Sequence, residues 1–514
     1  MSHFYRFCLF LLVALGLTAA PARAEWREAS SEHFLVYGDV SAAKIREYSQ
    51  RLEHYDSALR LFTGQAEAED SSRNRVKVYL MPGVSELRRL LTGGSGSTSV
   101  VGFYIPSFEG PRAFMPADSS SVGLSGQSVM FHEYAHHVLL SNATEYYPRW
   151  LSEGMAEFFM VSRLNRDGSI TVGLPNEDRA YALTAFRRMR ASELLASDSR
   201  KSSDFDEAQI YATGWLMTHY LLLGGERDGQ LVDYIARLNK GQPWAEAAKA
   251  AFGDMGKLDQ DLERYRRTRS LKIFTIPADQ LHTGEIKVRE LAPGAAAIMP
   301  YRIRSERGVD PKKTAPALVA DARPVAAAYP NDAFVQRTMA EIEYDAKNNA
   351  EAEAAVDRAL ALDPAMMEAM VYKGRILARR AAESKSAQDW SDARSWFLKA
   401  NRADPDSALP LVLYYDSFGQ AGEAPSKSAV TAIMRAIQLV PQASEVRVRT
   451  GRQLVIEKDM ELAQKILAPV LFSAHGSRNE ALSKIAELFA AKASPAEILA
   501  AMDEAKWGGE EEEE

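Results

Sequence analysis

The sequence has little cysteine, no long hydrophobic run beyond its first twenty residues and no excess of basic charge. Only Cys8 among the 514 residues is a cysteine, so no intramolecular disulfide can form, and a metal site must use histidine, aspartate or glutamate. The formal charge of −7 argues against a nucleic-acid-binding surface. A hydrophobic fraction of 46% with 25% charged residues is typical of globular domains, and the length suggests three or four of them at about 150 residues each.

The N-terminus has the pattern of a secretory signal peptide over residues 1–24. A weakly basic start precedes the apolar run 7–17, which is too short to cross a bilayer comfortably, and the Ala-Arg-Ala sequence at 22–24 is a cleavage site. Cleavage would remove two positive charges, taking the net charge from −7 to −9, and would leave no cysteine. We therefore expect an exported protein of the bacterial periplasm or cell envelope, without a stable transmembrane segment after cleavage.

Hydrophobic periodicity and composition divide the rest of the chain into four parts. The first is one domain over residues 25–270, and the last is an acidic, disordered tail rich in glutamate. The expected boundaries are a mixed α/β part at 25–118 and a helical part at 119–270 within the first domain, a β-rich connector at 271–325, a helical repeat domain at 326–505 and the tail at 506–514.

The repeat domain carries one pattern of small and apolar residues three times. The pattern is A-x3-Φ-x2-A-x4-P, where Φ is apolar, and its first alanines are Ala352, Ala393 and Ala429. This spacing resembles that of the tetratricopeptide (TPR) repeat, which has a period of about 34 residues. We therefore expect an all-α TPR solenoid, with a loop insertion near 380–390 and a degenerate fourth unit at 459–474. The concave groove of such a solenoid would bind a protein or peptide partner.

The strongest chemical signal is the H-E-Y-A-H sequence at 132–136. On a helix, residues four apart share a face, so His132 and His136 can present two imidazoles to one metal ion. Glu133 lies beside them and can take a proton from water. The apolar neighbours indicate a buried helix, in which these polar groups need partners. His137 points about 100° away from His136 and is expected to lie outside the ligand set.

The third metal ligand is expected on a second helix. A catalytic zinc site uses three protein ligands and keeps a fourth position open. The Trp-Leu-Ser-Glu-Gly segment at 150–154 supplies Glu153, which follows His136 with 16 residues between them. Glu157, one turn later, is the alternative third ligand. It could instead accept a hydrogen bond from the far nitrogen of a histidine ligand.

These motifs resemble those of the gluzincin metallopeptidases, the thermolysin-like and aminopeptidase-type zinc enzymes of the peptidase MA-like group. The resemblance covers roughly residues 30–270 and implies an α+β thermolysin-like fold, one Zn²⁺ ion and peptide-bond hydrolysis. In that group a Trp-Leu-x-Glu-Gly segment carries the glutamate ligand, which corresponds to Glu153 here. An acid one turn later orients a histidine ligand in the thermolysin-like members, and Glu157 matches it.

A second part of the resemblance lies downstream, in the Tyr-Ala-Thr-Gly segment at 211–214. It is similar to an aminopeptidase segment whose tyrosine donates a hydrogen bond to the tetrahedral intermediate, which implies that role for Tyr211; His219 is the alternative donor. The Gly-x-Met-Glu-Asn strand that binds a free α-amine in aminopeptidases is missing. This absence favours endopeptidase action or another peptide specificity.

The sequence thus predicts an exported zinc metallopeptidase followed by a TPR array that recruits a protein or peptide. His132, His136 and Glu153 would hold zinc, Glu133 would act as general base, and Tyr211 would stabilise the oxyanion. The alternative hypothesis is a non-enzymatic envelope adaptor or chaperone, in which the repeats do the work and the metallopeptidase-like part is a scaffold.

Overall fold

The computed structural model describes residues 25–64, 74–93, 98, 100–117, 125–199, 204–472 and 480–505. The expected signal peptide and acidic tail lie outside these residues. The described chain is α+β, because a sheet near the N-terminus is followed by a long helical region. No helix within the described ranges is both long enough and apolar enough to span a lipid bilayer.

The strands form a large mixed sheet and a small antiparallel one. They are β1 (Trp26–Ser30), β2 (Phe34–Asp39), β3 (Val76–Met81), β4 (Phe103–Ile105), β5 (Arg112–Pro116), β6 (Arg163–Leu164), β7 (Ile170–Val172), β8 (Phe274–Ile276) and β9 (Lys287–Glu290). The large sheet has the order β4-β5-β3-β2-β1-β9, with β2, β3 and β5 parallel and the remaining pairs antiparallel. The small sheet has the order β6-β7-β8.

Ten α-helices lie between β2 and β8 in the described residues. They are α1 (Ala42–Thr63), α2 (Val84–Thr92), α3 (Gly126–Leu139), α4 (Arg149–Met160), α5 (Glu177–Ala185), α6 (Ala191–Leu195), α7 (Asp204–Leu223), α8 (Gln230–Asn239), α9 (Trp244–Phe252) and α10 (Met255–Arg266). Short 3-10 helices occur at Ser197–Ser199 and Ala278–Gln280.

The two faces of the large sheet contact different helices. Successive residues of a strand point to opposite faces, so Val78 and Leu80 of β3 face one way and Tyr79 faces the other. Val78 and Leu80 belong to the core that includes α1, α3 and α4. Tyr79 belongs to a second core with Phe114 and Met299. The sheet therefore supports the two helices that carry the candidate metal ligands from one side only.

The segment 271–325, expected to be a β-rich connector, contains strands only up to residue 290. Helices α11 (Pro293–Arg307) and α12 (Ala315–Ala328) follow, in a stretch whose many alanines favour helix. The strands also do not merely connect, because β9 pairs with β1 and α11 packs on the large sheet. The first structural unit thus extends well beyond residue 270.

The repeat region consists of consecutive helices that pack in pairs. They are α13 (Ala333–Asp345), α14 (Asn349–Leu362), α15 (Met367–Ser384), α16 (Ala387–Ala403), α17 (Ala408–Gln420), α18 (Lys427–Leu439), α19 (Ser444–Ile456), α20 (Met460–Leu471), α21 (Glu480–Ala490) and α22 (Pro495–Glu504). The helical character of this region agrees with the sequence prediction. Its classification as a TPR solenoid stays a prediction.

Small residues of the repeated pattern lie where paired helices touch. Ala352, Ala393 and Ala429 are fully buried. A Cβ atom added to Gly374 of α15 would lie 2.5 Å from the ring of Phe397 of α16, so these two helices can approach only because residue 374 is glycine. The loop insertion expected near 380–390 is wrong. Two residues separate α15 from α16, and the additional residues lengthen both helices instead.

Candidate metal centre

The H-E-Y-A-H sequence lies in α3, whose N-terminus is capped by Ser125. The hydroxyl of Ser125 accepts a hydrogen bond from the backbone amide of Ser128, which satisfies one of the free N–H groups at the helix start. His132 and His136 both lie on a buried side of α3, and their Nε2 atoms are 3.3 Å apart. The i,i+4 spacing therefore brings two candidate ligand nitrogens together.

Two glycines help to place Glu153 and Tyr211 near each other. Glu153 lies on α4 and is completely buried, and Gly154 follows it. A Cβ atom on Gly154 would lie 2.5 Å from the carbonyl oxygen of Gly214 on α7, so α4 and α7 approach more closely than larger residues would allow. Gly214 lies one turn after Tyr211, so the same approach of the helices brings the tyrosine within reach of Glu153.

His132, His136 and Glu153, called the metal triad below, converge on one point. Nε2 of His132 lies 3.4 Å from Oε2 of Glu153, and Nε2 of His136 lies 3.4 Å from Oε1 of Glu153. Zinc–nitrogen bonds of about 2.0–2.1 Å at tetrahedral angles place neighbouring ligand atoms about 3.4 Å apart. The donor set and its spacing therefore fit a zinc ion as they stand.

The electrostatics of the triad favour a positive charge. Burial lowers the pKa of His132, but the hydrogen bond and charge of Glu153, with the charges of Glu157 and Glu133, outweigh burial. The pKa of His132 consequently lies above its ordinary value. Since these carboxylates stabilise a proton on the imidazole, the same surroundings stabilise a divalent cation that takes its place.

Glu157, the alternative third ligand, is engaged on the far side of His132. Its carboxylate accepts two hydrogen bonds of 2.8 Å from Arg179 and one of 2.7 Å from Asn176. Its Oε1 lies 3.5 Å from Nδ1 of His132, the nitrogen that points away from the triad. This arrangement favours Glu153 over Glu157 as the third ligand, and it lets Glu157 orient the His132 ring.

Three residues that support the triad, Ser152, Asn176 and Arg179, were missed by the sequence analysis. Nδ1 of His136 lies 3.0 Å from the hydroxyl of Ser152, so this ligand also has a partner for its far nitrogen. Asn176 both caps α5, by accepting a hydrogen bond from the amide of Arg179, and holds Glu157. An asparagine followed by two acidic residues is a helix-start signal, but nothing in the sequence connects it with Glu157.

Tyr211 lies beside the metal triad. Its ring is nearly parallel to that of His132, with centroids 6.3 Å apart, and the guanidinium of Arg179 lies 5.1 Å from its centroid. Burial, followed by the charge and hydrogen bond of Glu153, raises the pKa of the Tyr211 hydroxyl well above its usual value. The hydroxyl is therefore protonated at neutral pH and can donate a hydrogen bond.

His219, the alternative donor, does not lie at the triad. Its Nδ1 is 2.8 Å from the hydroxyl of Tyr265, and its Nε2 is 2.9 Å from the carbonyl oxygen of Gly173. The ring packs against Phe158 and Trp215. Because both ring nitrogens are engaged inside the core, this geometry favours Tyr211 over His219 as the donor.

The two remaining polar residues of the motif region point in different directions. Glu133 is half-buried, and its charge acts on both His132 and Tyr104. His137 lies away from the triad, with Nδ1 2.8 Å from the Tyr104 hydroxyl and its ring stacked on that of Tyr134. Burial lowers the pKa of His137 to about 3, so this imidazole is neutral at neutral pH.

A second group of buried ionisable residues lies on the opposite side of α3. His33, Glu53, Asp56 and Arg60, called the His33 cluster below, pair with one another. Nδ1 of His33 lies 2.7 Å from Glu53 and 3.5 Å from Asp56, and Nε of Arg60 donates a 2.8 Å hydrogen bond to Asp56. The hydroxyl of Tyr134 donates a 2.7 Å hydrogen bond to Asp56. The sequence analysis did not identify this cluster.

Comparison with known families gives one match. A family model described as a protein of unknown function (DUF1570) matches residues 128–245, and no curated protein matches the chain. The matched region runs from the first turn of α3 to the start of α9, so it contains the metal triad, Glu133 and Tyr211. Residues 128–245 thus form a DUF1570 domain, which is followed by the largely helical C-terminal region.

Proposed function

We propose that this protein is an exported zinc metallopeptidase of the gluzincin type. The observation that carries the proposal is the convergence of the metal triad, in which two imidazole nitrogens and a carboxylate are buried at ligand spacing. A structural zinc site would need no base beside it, whereas here Glu133 follows the first ligand directly.

The residues around the triad would share the steps of peptide hydrolysis. Zinc held by three protein ligands supplies Lewis acidity toward a carbonyl oxygen and acidifies water. Glu133 would take a proton from the attacking water and deliver it to the leaving amine. Tyr211 would donate a hydrogen bond to the oxygen that becomes negative in the tetrahedral transition state, while Arg179 holds Glu157 and thereby the His132 ring.

The repeat region would recruit a protein or peptide to this enzyme. Stacked helix pairs provide an extended surface for such a partner. Part of that surface is occupied by the chain itself, because Arg375 pairs with Glu109 and Arg447 contacts the carbonyl oxygen of Ala143. A partner would therefore bind the faces of the repeats that these contacts leave open.

The experiment compares wild type with Glu133→Gln on a peptide library, with zinc content measured by elemental analysis. We expect one zinc per chain in both proteins and a loss of cleavage of about 10²–10⁴-fold in the variant, because general-base catalysis contributes that much. Glu47→Gln, which changes an exposed glutamate on α1, is the matched control and should retain full activity.

Each other outcome decides between the hypotheses. Wild-type cleavage by Glu133→Gln would reject the mechanism. Zinc binding by a wild-type protein that cleaves no peptide would favour the envelope adaptor or chaperone. A wild-type protein that binds no zinc would reject the metal site.

A further inference from the structure

A short loop joins α3 to α4, the two helices that carry the metal triad. His136 lies in the last turn of α3, and Glu153 lies in the second turn of α4. Only residues 140–148 separate the two helices. The position of this nine-residue loop is therefore coupled to the ends of both helices that carry the ligands.

The repeat region contacts this loop through a buried arginine. Arg447 of α19 is 1% exposed. Its Nη1 donates a 3.0 Å hydrogen bond to the carbonyl oxygen of Ala143, and its Nη2 donates bonds of 3.4 Å to those of Leu140 and Asn142. Leu140 is the residue that caps the C-terminus of α3. One side chain of the repeats thus binds the end of the helix that carries His132 and His136.

The chemistry of these contacts suits a helix C-terminus. The last carbonyl groups of a helix lack intrahelical partners and carry partial negative charge, which a cation stabilises. No carboxylate pairs with Arg447 among the residues that the structure describes. Burial lowers the pKa of Arg447 to about 10, so the guanidinium is still charged at neutral pH. The carbonyl oxygens of Leu140, at the end of α3, and of Asn142 and Ala143, in the loop, therefore help to stabilise this buried charge.

The other half of the loop is fixed by the DUF1570 domain. The backbone amide of Tyr146 donates a 2.8 Å hydrogen bond to Asn239 of α8, and Asn239 donates one of 3.1 Å to the carbonyl of Tyr146. The amide of Arg149, the first residue of α4, donates to Asp198. Phe472, at the end of α20, packs its ring against that of Tyr146 at 5.9 Å. Arg447 thus holds the half of the loop that the domain does not bind itself.

We propose that Arg447 is a positioning residue for the metal triad, so that the repeat region completes the metal centre of the DUF1570 domain. Without it, the carbonyl oxygens of Leu140, Asn142 and Ala143 would lose a donor, and the first half of the loop would no longer be fixed where it leaves α3. The inference rests on the zinc site of the proposed function, and none of the measurements below requires peptidase activity.

A purely structural role within the repeats is the competing explanation. Arg447 also donates hydrogen bonds to the carbonyl oxygens of Pro441, at 2.6 Å, and Ile466, at 3.1 Å, which lie in the repeat region itself. A residue with only that role would affect stability. It would leave the zinc affinity and the metal's ligand field unchanged in the folded protein.

The test uses the full chain with Arg447→Met, Arg447→Lys and the control Arg375→Met. Arg375 also joins the repeats to the N-terminal part, through Glu109, but it contacts neither α3 nor the loop. The zinc dissociation constant is measured by competition with a chelator, and the visible absorption spectrum of the Co²⁺-substituted protein reports the ligand geometry. Thermal unfolding measures the stability of each variant.

We expect Arg447→Met to weaken zinc binding by about 10-fold or more, in the range seen when an outer partner of a metal ligand is removed. Its Co²⁺ spectrum should change, whereas Arg375→Met should keep the wild-type affinity and spectrum. Arg447→Lys keeps the charge but cannot span three carbonyls. Its zinc affinity should therefore lie between those of Arg447→Met and Arg375→Met. It also decides the question if the methionine variant does not fold.

Wild-type zinc affinity and Co²⁺ spectrum in a folded Arg447 variant would overturn the inference and leave the proposed metallopeptidase intact. Equal losses in Arg447→Met and Arg375→Met would overturn it as well, because they would show a general effect of the interface. A wild-type chain that binds no zinc would instead reject the proposed function.

Discussion

Two groups of histidines and buried carboxylates lie on opposite sides of helix α3. In one group the polar atoms converge on a single point, and in the other they form pairs. On one side, the metal triad directs two Nε2 atoms and a carboxylate toward a common point, with edges of 3.3–3.4 Å. On the other side, the His33 cluster matches each carboxylate with a basic side chain, at 2.7 Å between His33 and Glu53 and 2.8 Å between Arg60 and Asp56.

The comparison shows that residue types alone do not identify a metal site. Both groups contain histidine and buried acid, but in the His33 cluster each carboxylate already pairs with a basic side chain. In the metal triad, the lone pairs of two nitrogens and a carboxylate face one another, and a cation bound between them would stabilise this arrangement. The following predictions separate the two groups experimentally, beginning with the largest effect.

The first prediction concerns zinc binding. Removal of a group that hydrogen-bonds to a metal ligand can weaken metal binding by roughly 100-fold. His136→Ala deletes a ligand nitrogen itself and should weaken zinc binding by well over that amount. His33→Ala removes an equally buried histidine on the other side of α3 and should keep the wild-type affinity. Isothermal titration with Zn²⁺ on both proteins measures the difference. Weakened binding in both variants would mean that the groups are not independent.

The second prediction concerns stability. Asp56→Ala should lower the free energy of unfolding by about 3–5 kcal/mol, because Arg60 and the hydroxyl of Tyr134 would lose their buried partner. Asp233→Ala removes the acid of an exposed pair with Arg237 at the same i,i+4 spacing and should cost less than about 1 kcal/mol. Urea unfolding of both variants measures the two values. Similar losses would show that burial does not distinguish the pairs.

The third and smallest prediction concerns pH. Burial lowers the pKa of His33, but the hydrogen bond to Glu53 and the charges of Asp56 and Glu53 outweigh burial and the opposing charge of Arg60, so its pKa is raised. A raised pKa in the folded state gives stability that is complete below the unfolded value of about 6.5 and is lost as the pH rises through the folded value.

His33→Gln should therefore flatten the decline in melting temperature above pH 6.5. The measurement uses the zinc-loaded protein, so that protonation of the metal triad does not contribute. His282→Gln, which changes an exposed histidine, is the control and should keep the wild-type profile. An unchanged profile in His33→Gln would mean that His33 is neutral in the folded protein.

The sequence predicted those features of the site that depend on short-range periodicity. The spacing of His132 and His136 dictates their common face. The close approach of α4 and α7 at Gly154 was not predicted, because it depends on Gly214, sixty residues later. The choice between Glu153 and Glu157 depends on Arg179, which lies 22 residues after Glu157 and reaches it only in the fold. No local pattern reports such a contact.

The His33 cluster illustrates the same limit. Glu53, Asp56 and Arg60 share a face of α1 by their spacing, which was a usable signal for an interacting group. His33 precedes β2 and joins them only because the sheet packs on α1. Likewise, the 41-residue repeat spacing showed that residues were added between Ala352 and Ala393. It did not show that they continue two helices instead of forming a loop.

The pairing of β1 with β9 has a consequence for the order in which the protein can fold. The register joins Arg27 to Glu290, and the amide of Leu291 donates a 2.9 Å hydrogen bond to the carbonyl of Trp26. About 260 residues separate β1 from this partner, so the pairing must wait until a long intervening segment has been brought together. Until then one edge of β1 is an unpaired template, open to strands of other chains.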